Sequence, residues 1–307
     1  MEVLQSITSN LNASALIPQA EVQGADLYAG QDLSGLNLLE KAWVNWYIWW
    51  GNPVIATGVM SFLMHEVVYF GRSIPWIIID HIPYFRQWKL QPHKIPSDWD
   101  QWRCTYLVLL QHFTIELPQI WGFHPLAEYF GMLTYQVPFP SVWQMAKQIA
   151  IFFVFEDTWH FVFHRALHWG PLYKRIHKQH HEFSAPFGLA AEYAHPIEVG
   201  LTGFGTVGAP ILYAAFLGEI HIVGVYLWIT CRLFQAIDSH SGYHFPWSLN
   251  NFLPFWAGAE HHDYHHEKFT ECYSSSFRHW DWLFGTDKKY HAYRAKQAAQ
   301  KKAKKAQ

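Results

Sequence analysis

The chain has 307 residues, of which 50% are hydrophobic, 18% aromatic and only 15% charged, a composition that excludes intrinsic disorder. Its net charge of −2 hides a division: residues 288–307 hold eight Lys and Arg and no acid, which leaves 14 bases against 24 acids elsewhere. A body at −10 gives no general reason to bind nucleic acid, and three scattered cysteines (Cys104, Cys231, Cys272) exclude a disulfide framework or a Cys-x-x-Cys pair.

Residues 1–40 are polar and read as a loose lead-in, and Met1–Ala20 has neither a basic start nor an apolar stretch, so any membrane insertion is expected through internal spans. Residues 42–64 carry no charged side chain over 23 positions, and Trp43, Trp46, Trp49 and Trp50 crowd the start of that run as interfacial anchors do. A helix is expected over 53–70. The stretch 74–98, with Pro75, Pro83, Pro92 and Pro96 beside Trp76 and Trp88, reads as an interfacial connector. Further helices are expected over 104–123 and, after the breaks at Pro138 and Pro140, over 143–166. Residues 199–218 are uncharged over 20 positions, and 220–231 extend the apolar character past Arg232. Helices over 199–217 and 220–237 therefore form a hairpin that turns near Gly218-Glu219. One domain spans 41–285, followed by a basic tail, 286–307.

Gly203-Phe-Gly205-Thr-Val-Gly208 matches a dinucleotide-binding fingerprint in letters only. It follows no strand and has no acid about 20 residues on. Small residues that allow close helix packing in lipid explain it better. Asn12-Ala-Ser14 matches a glycosylation acceptor, which a cytosolic N-terminus would make irrelevant.

The 21 histidines, almost as many as the Lys and Arg combined, are the outstanding feature. Twelve fall in two windows: His160, His164, His168, His177, His180 and His181, then His240, His244, His261, His262, His265 and His266. Lone histidines elsewhere read as satisfied core or surface residues. The spacings His160-x3-His164, His177-x2-His180-His181 and His262-x2-His265-His266 put each cluster on one helical face, aimed at one point. Neutral imidazole suits Zn, Cu, Fe or Ni, and so many ligands exceed one ion's capacity, so two ions are expected. His-Glu-x-x-His is absent, and histidine replaces the Glu-rich ligand set of soluble di-iron bundles. Such a site beside membrane helices points to oxygen activation on a lipid-soluble substrate. The expected fold is an all-α, multi-pass membrane helical bundle with a cytosolic helical cap that carries a histidine-rich dinuclear metal site.

The boxes His160-Phe-Val-Phe-His164, His177-Lys-Gln-His180-His181 and His261-His262-Asp-Tyr-His265-His266 resemble those of the membrane fatty acid hydroxylase and sterol desaturase superfamily. The flanking Glu192-Tyr-Ala-His195-Pro, Asp238-Ser-His240-Ser-Gly-Tyr and Pro254-Phe-Trp-Ala-Gly-Ala-Glu260 are similar to those of the sterol carbon-4 methyl oxidases over residues 41–285. The pattern departs at His244, where related enzymes tend to carry an acid. The resemblance implies a di-iron enzyme of the endoplasmic reticulum membrane that uses molecular oxygen to take a sterol 4-methyl group through alcohol and aldehyde to carboxylate. It also implies electrons from NAD(P)H through cytochrome b5 and its reductase. Other implied partners are membrane lipids and a sterol 4-demethylation complex with a decarboxylating 3-hydroxysteroid dehydrogenase and a 3-ketosteroid reductase. A sterol desaturase, a fatty acid hydroxylase and a non-catalytic membrane metal scaffold are the alternatives.

The expected ligands are His160, His164, His177, His180, His181, His240, His244, His262, His265 and His266. Glu156, Asp157, Asp238, Glu260 and Asp263 are the acids expected to accept ring N–H groups from them. His261 points to another azimuth beside a ligand, and His195 is expected to support the site or line a substrate entrance. Arg165, Lys174, Arg175 and Lys178 put the histidine side in the cytosol. The terminal Lys304-Lys305-Ala306-Gln307, which resembles a dilysine retrieval signal of the endoplasmic reticulum, needs the same side.

Overall fold

The computed structural model describes residues 24–305, so the Asn12 acceptor and the last two residues of the dilysine pattern lie outside the described residues. Helix α1 (Leu38–Trp50) starts where Asn37 accepts hydrogen bonds from the Leu39 and Glu40 amides while Glu40 accepts from the Asn37 amide, and it stops at Gly51, whose φ of +63° suits glycine. The lead-in thus ends at residue 37.

Helix α2 (Pro53–His81) is 29 residues long, about 43 Å at 1.5 Å per residue. It runs through Pro75 and so replaces the first part of the expected connector. The missing proline N–H costs one helical bond, a loss that helices in lipid tolerate. The expected single helix over 104–123 is instead α3 (Asp98–Gln111), a π-helical turn at His112–Glu116 and α4 (Leu117–Tyr129). Pro118 cannot donate into the preceding turn, and the chain widens there. The remaining long helices lie close to expectation: α5 (Val142–Leu167), α6 (Pro196–Phe216) and α7 (Ile222–Ser239). Three further helices follow, α8 (Gly258–Lys268), α9 (His279–Phe284) and α10 (Lys288–Lys305). Among the described residues there is no named strand, only isolated bridges.

The chain divides into two compact units, each assembled from separated segments. Among the described residues, the first takes 24–65, 112–149 and 210–228. At its centre Tyr47 is fully buried, and its hydroxyl meets Thr57 Oγ1 at 2.8 Å and the Thr134 carbonyl at 3.1 Å. The α6–α7 turn lies in this unit and passes through Gly218, at φ +143°. The second unit takes residues 66–111, 150–209 and 229–305 and holds all twelve clustered histidines. Its apolar core joins Tyr69, Cys104, Val108, Phe187, Leu189 and Ile237.

Helices α2 and α6 are long and apolar enough to cross a membrane. On α2, Leu63, Val67, Ile74 and Ile78 recur at helical spacing, and each is more than half exposed. Helix α5 has its polarity reversed: Glu156, Asp157 and His164 are buried, while Val154 and Val162 are exposed. Apolar surface outside and ionisable groups inside is the pattern a lipid solvent favours.

In the glycine-rich stretch of α6, a Cβ on Gly205 would come within 2.6 Å of the Trp159 ring, whose Nε1 donates to the Leu201 carbonyl at 2.8 Å. The glycine serves helix contact, as the small-residue explanation requires. Gly205→Leu is expected to cost about 1–3 kcal/mol through overpacking, seen as a lowered thermal midpoint of the purified protein.

Candidate metal centre

The structure brings nine imidazoles into two groups, each with its nitrogens within 4.8 Å of one another: His164, His168, His177, His181 and His265, and beside them His180, His240, His262 and His266. The boxes do not each serve one point. Residues four apart share a group, as His164 with His168, His177 with His181 and His262 with His266, while the residue at the third position crosses to the other. His180 reaches His240 at 3.3 Å between Nε2 atoms, and His265 reaches His181 at 3.1 Å. The two groups are therefore interlocked, with the His181 and His266 ring centroids 4.6 Å apart.

Local structure explains the placement. His164 lies on the buried face of α5, and His168 continues the same helical register through its amide bond to the His164 carbonyl. A π-helical turn at Tyr173–His177 and a 3-10 turn at His180–Glu182 carry the second box. Helix α8 is buried around nearly its whole circumference and carries the third box. Helix α7 ends at Ser239 and delivers His240 from its last turn.

The ring nitrogens have divided roles. Nδ1 of His164 faces the Tyr273 carbonyl at 2.8 Å, that of His240 the Ala236 carbonyl at 2.7 Å and that of His265 the Glu271 carbonyl at 2.6 Å. Longer contacts of 3.2 Å join His180 to the Tyr193 carbonyl and His266 to the Phe183 carbonyl. A carbonyl only accepts, so each of these Nδ1 atoms carries the proton and each Nε2 presents a lone pair. The opposed lone pairs of His180 and His240, 3.3 Å apart, cannot hydrogen-bond to one another, and the other Nε2 atoms crowd equally closely, as in His177–His168 and His262–His240 at 2.9 Å. Metal–imidazole bonds of about 2.1 Å impose N···N separations of about 3.0–3.4 Å in octahedral or tetrahedral geometry. His164 Nε2 is buried with no hydrogen-bond partner. The donor set fits transition-metal ions. Burial pushes the imidazoles down, His177 to about 3, His180 to about 4 and His240 to about 3, so the rings stay neutral as ligation requires.

Two expected ligands lie outside both groups. His160 is one turn before His164 on α5, with Nδ1 3.6 Å from Glu156. Each four-residue step on a helix turns by about 40°, so three histidines at this spacing cannot all face one centre, and the inward pair is His164 with His168. The His240-x3-His244 spacing never becomes helical: Gly242 takes φ +72°, and the His244 amide is held by the Trp88 carbonyl at 3.0 Å.

The acids expected to orient the rings have other partners. Asp157 accepts from the Ser276 and Phe277 amides, Asp238 from Arg72 and Trp76, and Asp263 from Gln91. Glu260 meets Arg294, and Glu156 meets Arg232 at 2.8 Å. His261 turns to Asp281, 3.5 Å away, and His195 lines a cleft of about 840 Å³ with His181, Tyr193 and Phe269. The carboxylate that does hold a grouped ring is Glu198, which accepts from His177 Nδ1 at 2.7 Å. Its sequence signal was a lone acid at the head of an apolar helix. Glu198→Gln is expected to weaken metal retention about 10–100-fold, measured as iron content after dialysis against a chelator.

Comparison with known proteins points the same way. The fatty acid hydroxylase family model, which describes an iron-dependent family, matches residues 149–286. Methylsterol monooxygenase erg25B of Aspergillus fumigatus is 65% identical over 84% of this chain and 86% of its own length. The C-4 methylsterol oxidase erg25 of Schizosaccharomyces pombe is 58% identical over 87% and 88%, and methylsterol monooxygenase 1 of Rattus norvegicus 41% over 77% and 79%. No solved structure matches. An all-imidazole pair of centres on apolar helices, and relatives this similar over most of their length, place the chain in the fatty acid hydroxylase family, as a member of its methylsterol monooxygenase branch.

Proposed function

We propose that this protein is a di-iron monooxygenase that uses molecular oxygen to oxidise the 4-methyl group of sterol intermediates to the carboxylate. The observation that carries the reading is the pair of interlocked imidazole groups, with Nδ1 protons committed and Nε2 lone pairs converging. One iron is assigned to His164, His168, His177, His181 and His265, and the other to His180, His240, His262 and His266. His160 and His244 leave the ligand set. When bound, the irons supply the oxidising power that an unactivated methyl group demands. The chain's own part is to keep the rings neutral and oriented and to exclude water around them.

Membrane placement follows from the chemistry and the exposed apolar faces. We infer a multi-pass bundle in the endoplasmic reticulum membrane, in which α6 and α7 leave and return to the histidine side. Arg165, Lys174, Arg175 and Lys178 lie beside the first two boxes and assign that side, with the C-terminus, to the cytosol. Lys174, Arg175 and Lys178 also rim the cleft that reaches His181, a surface suited to an acidic electron carrier such as cytochrome b5, fed from NAD(P)H by its reductase. The 4-carboxylate would pass to a decarboxylating 3-hydroxysteroid dehydrogenase and then to a 3-ketosteroid reductase, so association with those enzymes is expected.

The test is conversion of a 4,4-dimethylsterol by membranes that contain the protein, with oxygen and NAD(P)H, together with iron per chain. Oxygen-dependent 4-carboxysterol and two irons are expected. Unchanged sterol with intact iron would reject the substrate assignment, and hydroxylated fatty acid would support the alternative within the family.

A further inference from the structure

Beside the two imidazole groups lies a polar cluster that the metal centre does not use. Glu156 is buried on α5 two turns before His164, and His160 lies between them. Arg232, two turns before His240 on α7, reaches across to Glu156 at 2.8 Å and donates to Gln235 Oε1 at 2.6 Å. The side chains of Arg232 and Glu156 are 11% and 1% exposed. A buried ion pair that serves structure alone needs its remaining donors and acceptors satisfied. Here Arg232 Nε, Glu156 Oε2 and His160 Nδ1 are all buried without a hydrogen-bond partner. Three unsatisfied polar atoms in one place, on helices whose outer faces are apolar, call for a polar group brought by a ligand.

Resting on the function proposed above, we propose that Glu156, Arg232 and His160 form the binding site for the sterol 3-hydroxyl. In a sterol the hydroxyl-bearing carbon is bonded directly to the carbon that carries the reacting methyl groups, so a methyl turned toward the imidazole groups keeps the hydroxyl close behind it. The cluster begins one helical turn from His164 and ends about 12 Å away along α5 at 1.5 Å per residue, on the helices that deliver His164 and His240. Glu156 Oε2 accepts the hydroxyl proton, and Arg232 Nε or His160 donates to its oxygen. The hydroxyl is thereby the recognition handle that selects which ring carbon is oxidised.

The experiment compares a 4,4-dimethylsterol with its 3-deoxy analogue on the full-length protein in lipid nanodiscs, reading both equilibrium binding of the radiolabelled sterol and KM separately from kcat. Wild type is expected to bind the 3-hydroxysterol about 10–100-fold more tightly, the worth of a hydrogen bond to charged groups. Arg232→Gln with Glu156→Gln, which removes both charges together and so avoids an unpaired buried ion, is expected to bring the two ligands within about threefold while iron content stays at the wild-type level. Equal binding of the two sterols by wild type would overturn the proposal without any variant, as would a double variant that keeps iron and full discrimination. Should the double variant fail to fold, the wild-type ratio still decides. Failure of the functional reading itself looks different, because neither sterol would then be oxidised.

Discussion

His168→Ala is expected to lose nearly all sterol oxidation and to retain iron more than about 100-fold less firmly, whereas His160→Ala keeps its iron. The sequence reading puts His160 among the ligands and leaves His168 out, although both lie one turn from His164, and it is the frame of the first box that separates them. In the structure His168 Nε2 approaches three ring nitrogens, those of His177, His181 and His265, at 2.9–3.3 Å. His160 joins neither group, and its Nδ1 is directed to the Glu156 side at 3.6 Å. Removing His168 takes a donor from a set of five and leaves a hole lined by lone pairs. Removing His160 takes nothing from the coordination sphere, so iron is unchanged and any effect falls on sterol affinity. Iron per chain, measured on the same preparations as turnover, distinguishes these outcomes. Loss of iron from His160→Ala with retention in His168→Ala would move the box one turn back.

The sequence made much of this fold readable for a physical reason. Uncharged runs of 23, 20 and 12 residues, at 42–64, 199–218 and 220–231, have few stable states, so α2, α6 and α7 start within a few residues of expectation. Where Pro75 suggested an end, α2 continued, because proline punctuates helices less sharply in an apolar setting. Histidine clustering announced two centres, but periodicity alone could not say that residues three apart would split between them. That depends on the second box being built from π and 3-10 turns, which have no strong residue signature. The ring partners were the least legible part: most are backbone carbonyls, any residue can supply one, and the acids nearest in sequence turned to amides, Arg72, Arg232 or Gln91 instead.

Iron-free protein is expected to unfold abruptly on mild acidification, between about pH 6.5 and pH 4.5, and iron is expected to move that transition to lower pH. Burial holds His168, His177 and His240 at about 3 and His180 and His261 at about 4, with neighbouring imidazoles adding to the effect at His168. In the unfolded chain each returns to about 6.5. Below that value the unfolded state binds more protons than the folded one, so stability is fully present above about pH 6.5 and falls as the pH drops. Each such histidine contributes a slope of about 1.4 kcal/mol per pH unit. Buried acids, among them Asp263, raised to about 7 chiefly by burial, act in the opposite sense between about pH 4 and 7 and offset part of this slope. A net slope of about 3–6 kcal/mol per pH unit would exhaust a typical folding free energy of about 5–15 kcal/mol within a few units. Iron binds only deprotonated imidazoles in the folded chain, so its affinity adds to the native side and delays the loss. Tryptophan fluorescence and circular dichroism of iron-free and iron-loaded protein in detergent, titrated from pH 8 to 4 at fixed ionic strength, measure both effects. An iron-free protein indifferent to pH across that window would mean that the clustered rings are solvated rather than buried, and the coordination assignment would fall with them.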